Sequence, residues 1–210
     1  MIRLRLPPRF SLAGLLGATL WVAACSPFPS QEQTAVYELS PATSVASVET
    51  LPLTLRLDTP SANGPLNSTR ILVKPEASKI NVFPDGRWSD NAPALVRERL
   101  IETLRQSGAF EAVLSERSSA RTDLVLTSDL RAFHGEYRNG STEVVIALEA
   151  QLIQSASQQV VATERFDVRQ PSRSNQLEDV VDAFGQAGKT LSTQVVDWSR
   201  KEAESQSDPR

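Results

Sequence analysis

Two side chains in this 210-residue chain stand out for reactivity because each is the sole member of its type: Cys25 and His134. A thiol can serve as nucleophile, metal ligand or point of covalent attachment, and imidazole titrates near neutral pH. A Ser-His-Asp hydrolase would need His134 to meet a serine and a carboxylate. No Gly-x-Ser-x-Gly elbow supplies the usual frame, while a triad is defined by geometry rather than by chain order. His134 stands beside Gly135 at the end of an expected strand. A site needs several roles filled together, so it reads as a hairpin-edge surface residue, with catalysis as the minor alternative. One histidine and a cysteine engaged elsewhere leave no zinc ligand set. The glycines occur singly or in hairpin turns rather than as a phosphate loop. The acidic pair Glu178-Asp179 reads as helix capping and solvation. No catalytic residue, metal or cofactor is expected.

Cys25 has a different context. Arg3, Arg5 and Arg9 precede an apolar run from Ser11 to Ala24, and small residues stand directly before the thiol. A basic leader, a short apolar core and small residues at its end form a secretory signal. The run is shorter than the roughly 20 apolar residues of a membrane span and is interrupted by Gly14, Gly17 and Thr19. Val22-Ala23-Ala24-Cys25 resembles the lipobox read by lipoprotein signal peptidase, with Val where Leu is commoner. The resemblance implies cleavage before Cys25, a diacylglycerol on its thiol and an acyl chain such as palmitate on the new amine. Several chains on one residue supply the multiple anchors that stable membrane attachment needs. Ser26 stands where an inner-membrane lipoprotein often has Asp, which favours the outer membrane, facing the periplasm, over the inner one.

Four segments follow: a signal over 1–24, a flexible tether over 25–48, one domain over 49–200 and a polar tail over 201–210. The tether is rich in Ser, Pro, Thr and Gln and cannot bury enough surface to offset chain entropy, with Tyr37 and Leu39 docking locally. Removing the three leader arginines takes the formal charge from −3 to about −6. A mildly acidic chain without a basic run gives nucleic acid no electrostatic footprint. With its cysteine lipidated, the chain has no disulfide, so the core alone must hold the fold.

That core is legible as pattern. Leu51, Leu53, Leu55 and Leu57 alternate as a strand. Arg70–Lys74 is a second, ended by Pro75, and Lys79–Phe83 a third, stopped by Pro84-Asp85-Gly86. Asp90 or Asn91 caps a helix with Pro93 in its first turn. Val96, Leu100 and Leu104, widened by Leu95 and Ile101, form its apolar stripe, and Arg97, Glu98, Arg99, Glu102 and Arg105 face away. Gly108 ends it, and Phe110–Leu114 follows as a strand. Three antiparallel strands come next. The first carries Leu124, Leu126, Leu130 and Ala132 on one face, the second Val144, Ile146, Leu148, Ala150 and Leu152, and the third Val160, Ala162, Phe166 and Val168. Asn139-Gly140 marks the first turn. Asn175 with Glu178 has the composition of a capping box, opening a helix with Leu177, Val180, Val181, Phe184, Gly188, Leu191, Val195 and Trp198 at helical spacing. Strands, helix, strands, helix predicts an α+β fold, a mostly antiparallel β-sheet with two amphipathic helices on one face.

Trp88 has two readings: a core lid over the first helix, or an exposed aromatic at a partner interface, where Trp is enriched. Together with the lipobox, Tyr37-Glu38-Leu39, Ile71-Leu72-Val73, Trp88, Pro93, Leu100, Leu104 and Gly108-Ala109-Phe110-Glu111-Ala112-Val113 form an ordered set. This set resembles the ABC-type transport auxiliary lipoprotein family, the PqiC or YmbA group. The resemblance implies a lipid-anchored, non-catalytic adaptor beside an MCE-domain protein and its ABC transporter or permease, supporting lipid transport between membranes and envelope integrity. It carries Cys25 over as the lipidation site and places Trp88 at a hallmark position. Homo-oligomer formation through exposed strand edges stays open. Alternative readings are a stand-alone lipoprotein binding an apolar ligand, a pilotin-like assembly lipoprotein, and last an envelope hydrolase.

Overall fold

A computed structural model describes residues 34–40, 49–138 and 140–207. Cys25, the signal and most of the expected tether lie outside these residues. The described elements are β1 (Ala35–Tyr37), β2 (Leu51–Leu57), β3 (Arg70–Glu76), β4 (Lys79–Trp88), α1 (Ala92–Ser107), β5 (Phe110–Ser115), β6 (Leu124–Arg138), β7 (Ser141–Gln154), β8 (Gln159–Pro171) and α2 (Leu177–Ser207).

β6 is the spine of a mixed eight-stranded sheet. One of its edges pairs along its whole length with β7, which pairs in turn with β8, both antiparallel. Its other edge is shared. β2 runs parallel to Leu124–Leu126 and β3 parallel to Gly135–Glu136. Ser61 closes the gap between them, donating to Ser128 O at 2.8 Å and accepting from Leu130 N–H at 2.8 Å. The long ladders are antiparallel, and the short ones, β1 on β4 and β5 on β2, are parallel.

The helices obey their local signals. Asn91 caps α1, its side chain accepting from Ala94 N–H at 3.0 Å, and Gly108 ends it at φ 64°, a left-handed conformation that glycine adopts at no steric cost. Both helices lie on one face of the sheet and share a single buried cluster with Leu126, Leu130, Phe133, Ile146 and Leu148. Trp88, Phe133 and Phe184 meet at its centre with ring centroids 4.7–5.6 Å apart. The opposite face carries a small apolar set, Ala132, Val145 and Ala147. Arg131–Glu149 (2.7 Å), Arg165–Asp167 (2.8 Å) and Arg169–Glu143 (3.0 Å) stand around it.

Several expectations are corrected. β4 does not stop at Pro84. It runs on to Trp88, because Pro84 lies where the β3 register shifts and before the residues that β1 pairs, so its missing N–H interrupts no regular ladder. β3 likewise includes Pro75. Ala132 does not share a face with Leu130. A β-bulge between their pairs adds one residue, so Phe133 turns to the helices and Ala132 to the open face. A second bulge opposite Leu152/Ile153 leaves Val160 53% exposed while Val161 packs on the core. Asn175 does not cap α2. Its side chain accepts from Thr142 Oγ1 at 2.7 Å and donates to Gly140 O at 3.1 Å, tying the β6–β7 turn to the helix start. α2 continues through the expected tail to Ser207, where Ala203 is fully buried. Part of the expected tether is also structured, since Ala35–Tyr37 is an edge strand.

Candidate functional site

The residues singled out for function separate in space. Cys25 lies outside the described residues. Trp88 is fully buried against Phe133 and Phe184, so it is a core residue and the partner-interface reading is overturned. It closes β4 on the helix side of the sheet, its ring gaining from burial while its Nε1 is buried without a hydrogen-bond partner. His134 sits on the open face, not at a hairpin edge. It is 5% exposed, and its Nε2 lies 3.2 Å from Glu136 Oε1. Burial pushes the imidazole below its ordinary value of 6.5, against the pull of the Glu136 hydrogen bond and with Lys74 and Arg169 reinforcing the shift. The contact sets a carboxylate beside the imidazole on the open face of the sheet.

A structured strap lies where the expected tether meets the domain. β1 lies parallel on the end of β4, Ala35 opposite Gly86 and Tyr37 opposite Trp88. Ser89 N–H donates to Tyr37 O at 2.8 Å, and Tyr37 OH donates to Glu178 Oε1 at 3.2 Å. The chain then crosses α2 over two glycines one turn apart. A Cβ on Gly185 would fall 2.8 Å from Ser40 Oγ, and one on Gly188 would meet Leu39 Cδ1 at 4.0 Å. Gly86 does the same beneath Tyr37, at 2.7 Å from its ring. A Cβ at 86 would press on the Tyr37 ring and Leu177 and one at 185 on Ser40, so glycine at both favours close approach rather than special backbone angles.

Arg99 fastens the far end of the strap. Contrary to expectation it is only 6% exposed, and its Nη1 donates to the carbonyl of Ser40. Its Nε is buried without a hydrogen-bond partner, and burial pulls the guanidinium down from its ordinary range against the attraction of Glu102. Arg97, also expected outside, is 8% exposed. It reaches Thr59 Oγ1 at 2.6 Å and Glu116 Oε1 at 3.4 Å, joining the loops that follow β2 and β5. Charged residues in a helical pattern read as solvent-facing, and only the strap and loops above α1 reveal these two as clasps.

The clefts are shallow. One of about 540 Å³ on the open face is lined by Ser61, Asp129, Glu149, Gln151 and Arg165. Another of about 280 Å³ beside the strap is lined by Glu38, Asp90, Glu98 and Glu102 with Leu39 and Leu95. The sheet–helix interface at Leu39, Phe133, Gly188 and Leu191 holds a void of about 10 Å³, no more than about one water-sized probe. Among the described residues no three His, Cys, Asp or Glu converge as a metal site, and no helix is long and apolar enough to cross a membrane.

This organisation, from strap to terminal helix, is one that known proteins share. The family model for the ABC-type transport auxiliary lipoprotein component matches residues 37–196, beginning at Tyr37 in the strap. The chain belongs to this family. XCC0632 of Xanthomonas campestris, a DUF330 protein of known structure, is 26% identical with a TM-score of 0.74, covering 82% of this chain and 99% of its own. The protein bll6063 of Bradyrhizobium diazoefficiens is 28% identical over 158 residues, 73% of this chain. The chain spans 41% of the length of that relative. Membership of the ABC-transport auxiliary lipoproteins implies a lipid-anchored protein whose domain faces the periplasm.

Proposed function

We propose that this chain is a non-catalytic adaptor of an MCE/ABC-type system moving lipid or another hydrophobic solute between membranes, held by acyl chains on Cys25 in the outer membrane. Family membership supplies the transport setting. The observation that carries the adaptor role is the filled sheet–helix interface. A void of about 10 Å³ cannot take an acyl chain, so the domain acts through its surfaces rather than by carrying the solute. The strap supports the same reading, because it joins the anchor side of the chain to the body of the domain and lets position at the membrane be transmitted to it.

The test is affinity purification of the native lipidated protein from gently solubilised membranes, with mass spectrometry of what accompanies it. Recovery of an MCE protein with its ATPase or permease is the expected result. Recovery of secretion or assembly subunits instead, or an MCE assembly that forms normally without this chain, overturns the proposal. Stoichiometric lipid extracted from the soluble Cys25→Ala protein would replace the adaptor by an apolar-ligand carrier.

A further inference from the structure

β4 has an edge that the fold leaves open. β1 pairs with it only at Gly86–Trp88, so Lys79–Asp85 have β3 on one side and no bonded strand on the other among the described residues. Outward N–H and C=O groups on such an edge template another strand. Lys79 and Pro84 guard its two ends, the usual devices against unwanted pairing. Between them Ile80 is 46% and Val82 40% exposed, two residues apart and on one face. Val82 stands opposite Leu72, and a cleft of about 140 Å³ lined by Pro65, Leu66, Leu72, Ile80 and His134 lies beside them. Neither Ile80 nor Val82 belongs to a buried cluster.

The charge here is opposite to that of the chain. β3 and β4 carry Arg70, Lys74, Lys79 and Arg87 against Glu76 and Asp85, within a protein of net charge −3. None of the four cations has an ion-pair partner among the described residues. On β6 to β8, by contrast, Arg131, Arg165 and Arg169 are all paired. Lys79 beside Ile80 on this edge, and Lys74 lining the cleft next to it, give the exposed apolar side chains a cationic border complementary to an alternating strand that carries carboxylates there.

We propose that the outer edge of β4 docks an extended segment of a partner protein, apolar at alternate positions and flanked by carboxylates, which adds to the sheet as a strand. The backbone ladder holds it, Ile80, Val82 and the cleft take its apolar side chains, and the cations select its flanks. The inference stands whether or not the partner belongs to a transport complex.

The probes are two peptides with one alternating Val/Thr core, one flanked by Asp and the other by Lys. Both are titrated into the full ¹⁵N-labelled chain in micelles. The Asp-flanked peptide should move the amides of Lys79–Asp85 and bind about tenfold more tightly than the Lys-flanked one, because like charges across paired strands repel. In the Lys74→Glu/Lys79→Glu chain, where Lys79 is exposed and Lys74 half-buried, the preference should invert. Equal affinities, shifts elsewhere or no binding overturn the proposal. So do concentration-dependent shifts of these amides without peptide, which would make the edge a contact between copies. Shifts with anionic vesicles but neither peptide would make it a membrane surface, again against the proposal.

Discussion

Trp88 and His134 carry the residue-scale consequences of the fold. Trp88 meets Phe133 at 5.6 Å and Phe184 at 5.2 Å, edge to face, with no exposed surface. Truncating such a ring loses its transfer free energy and leaves a cavity, so Trp88→Ala should cost about 3–5 kcal/mol, read from urea denaturation midpoints. A surface anchor would have lost binding instead, with stability unchanged. His134 sets an acid limit. Its folded pKa lies below the ordinary 6.5, so the unfolded chain binds the extra proton as pH falls through that value. Stability from the buried neutral ring is therefore complete above about pH 6.5 and declines below it toward the folded pKa. The wild-type denaturation midpoint should fall more between pH 7 and 5 than that of His134→Gln.

At the scale of elements, the strap is a separable unit. β1 has three residues, one short parallel ladder, and an exposed Val36, so its local opening free energy sits well below that of β6 and β7. Gly185→Val puts side-chain atoms where Ser40 lies. The expected outcome is loss of hydrogen-exchange protection over residues 36–40 with protection over β6–β8 intact. Arg99→Met, which keeps the aliphatic stem and removes the donor to Ser40, should weaken protection at the same residues to a lesser degree. Loss of protection throughout the sheet in either variant would mean that the strap is part of the cooperative core.

For the whole molecule, the strap sets how far the domain stands from its proposed anchor. From Cys25 to Thr34 an extended chain spans at most about 30 Å, whereas from Cys25 to Glu49, with the strap released, it spans about 80 Å. On the proposed Cys25 anchor, a docked strap shortens the chain available between the domain and the bilayer. Energy transfer from a label on the domain to a bilayer dye should fall in lipidated Gly185→Val relative to wild type. Unchanged transfer with a demonstrably free strap would show that other contacts hold the domain at the membrane.

The sequence by itself determined what depends on local chemistry. Alternation in Leu51–Leu57 and Val144–Leu152, the Asn91 and Gly108 helix ends, and the long stripe from Leu177 to Val195 all folded as patterned, because each element buries one face and its ends satisfy backbone groups. The ordered motif set was enough to place the chain in its family. Tertiary structure alone decided what depends on which strand lies beside which. The extra residue near Arg131 exchanged the faces of Ala132 and Phe133, the edge position made Pro84 tolerable within β4, and burial of Trp88 removed it from the surface. The same holds for the strap. Arg99 reads as solvent-facing, and the sequence gives the local docking of Tyr37 and Leu39 no partner, until the fold brings them together over Gly185 and Gly188. Residues 59 apart in the chain such as Arg99 and Ser40 share no local pattern, and their contact exists only because α1, α2 and the end of β4 form one groove.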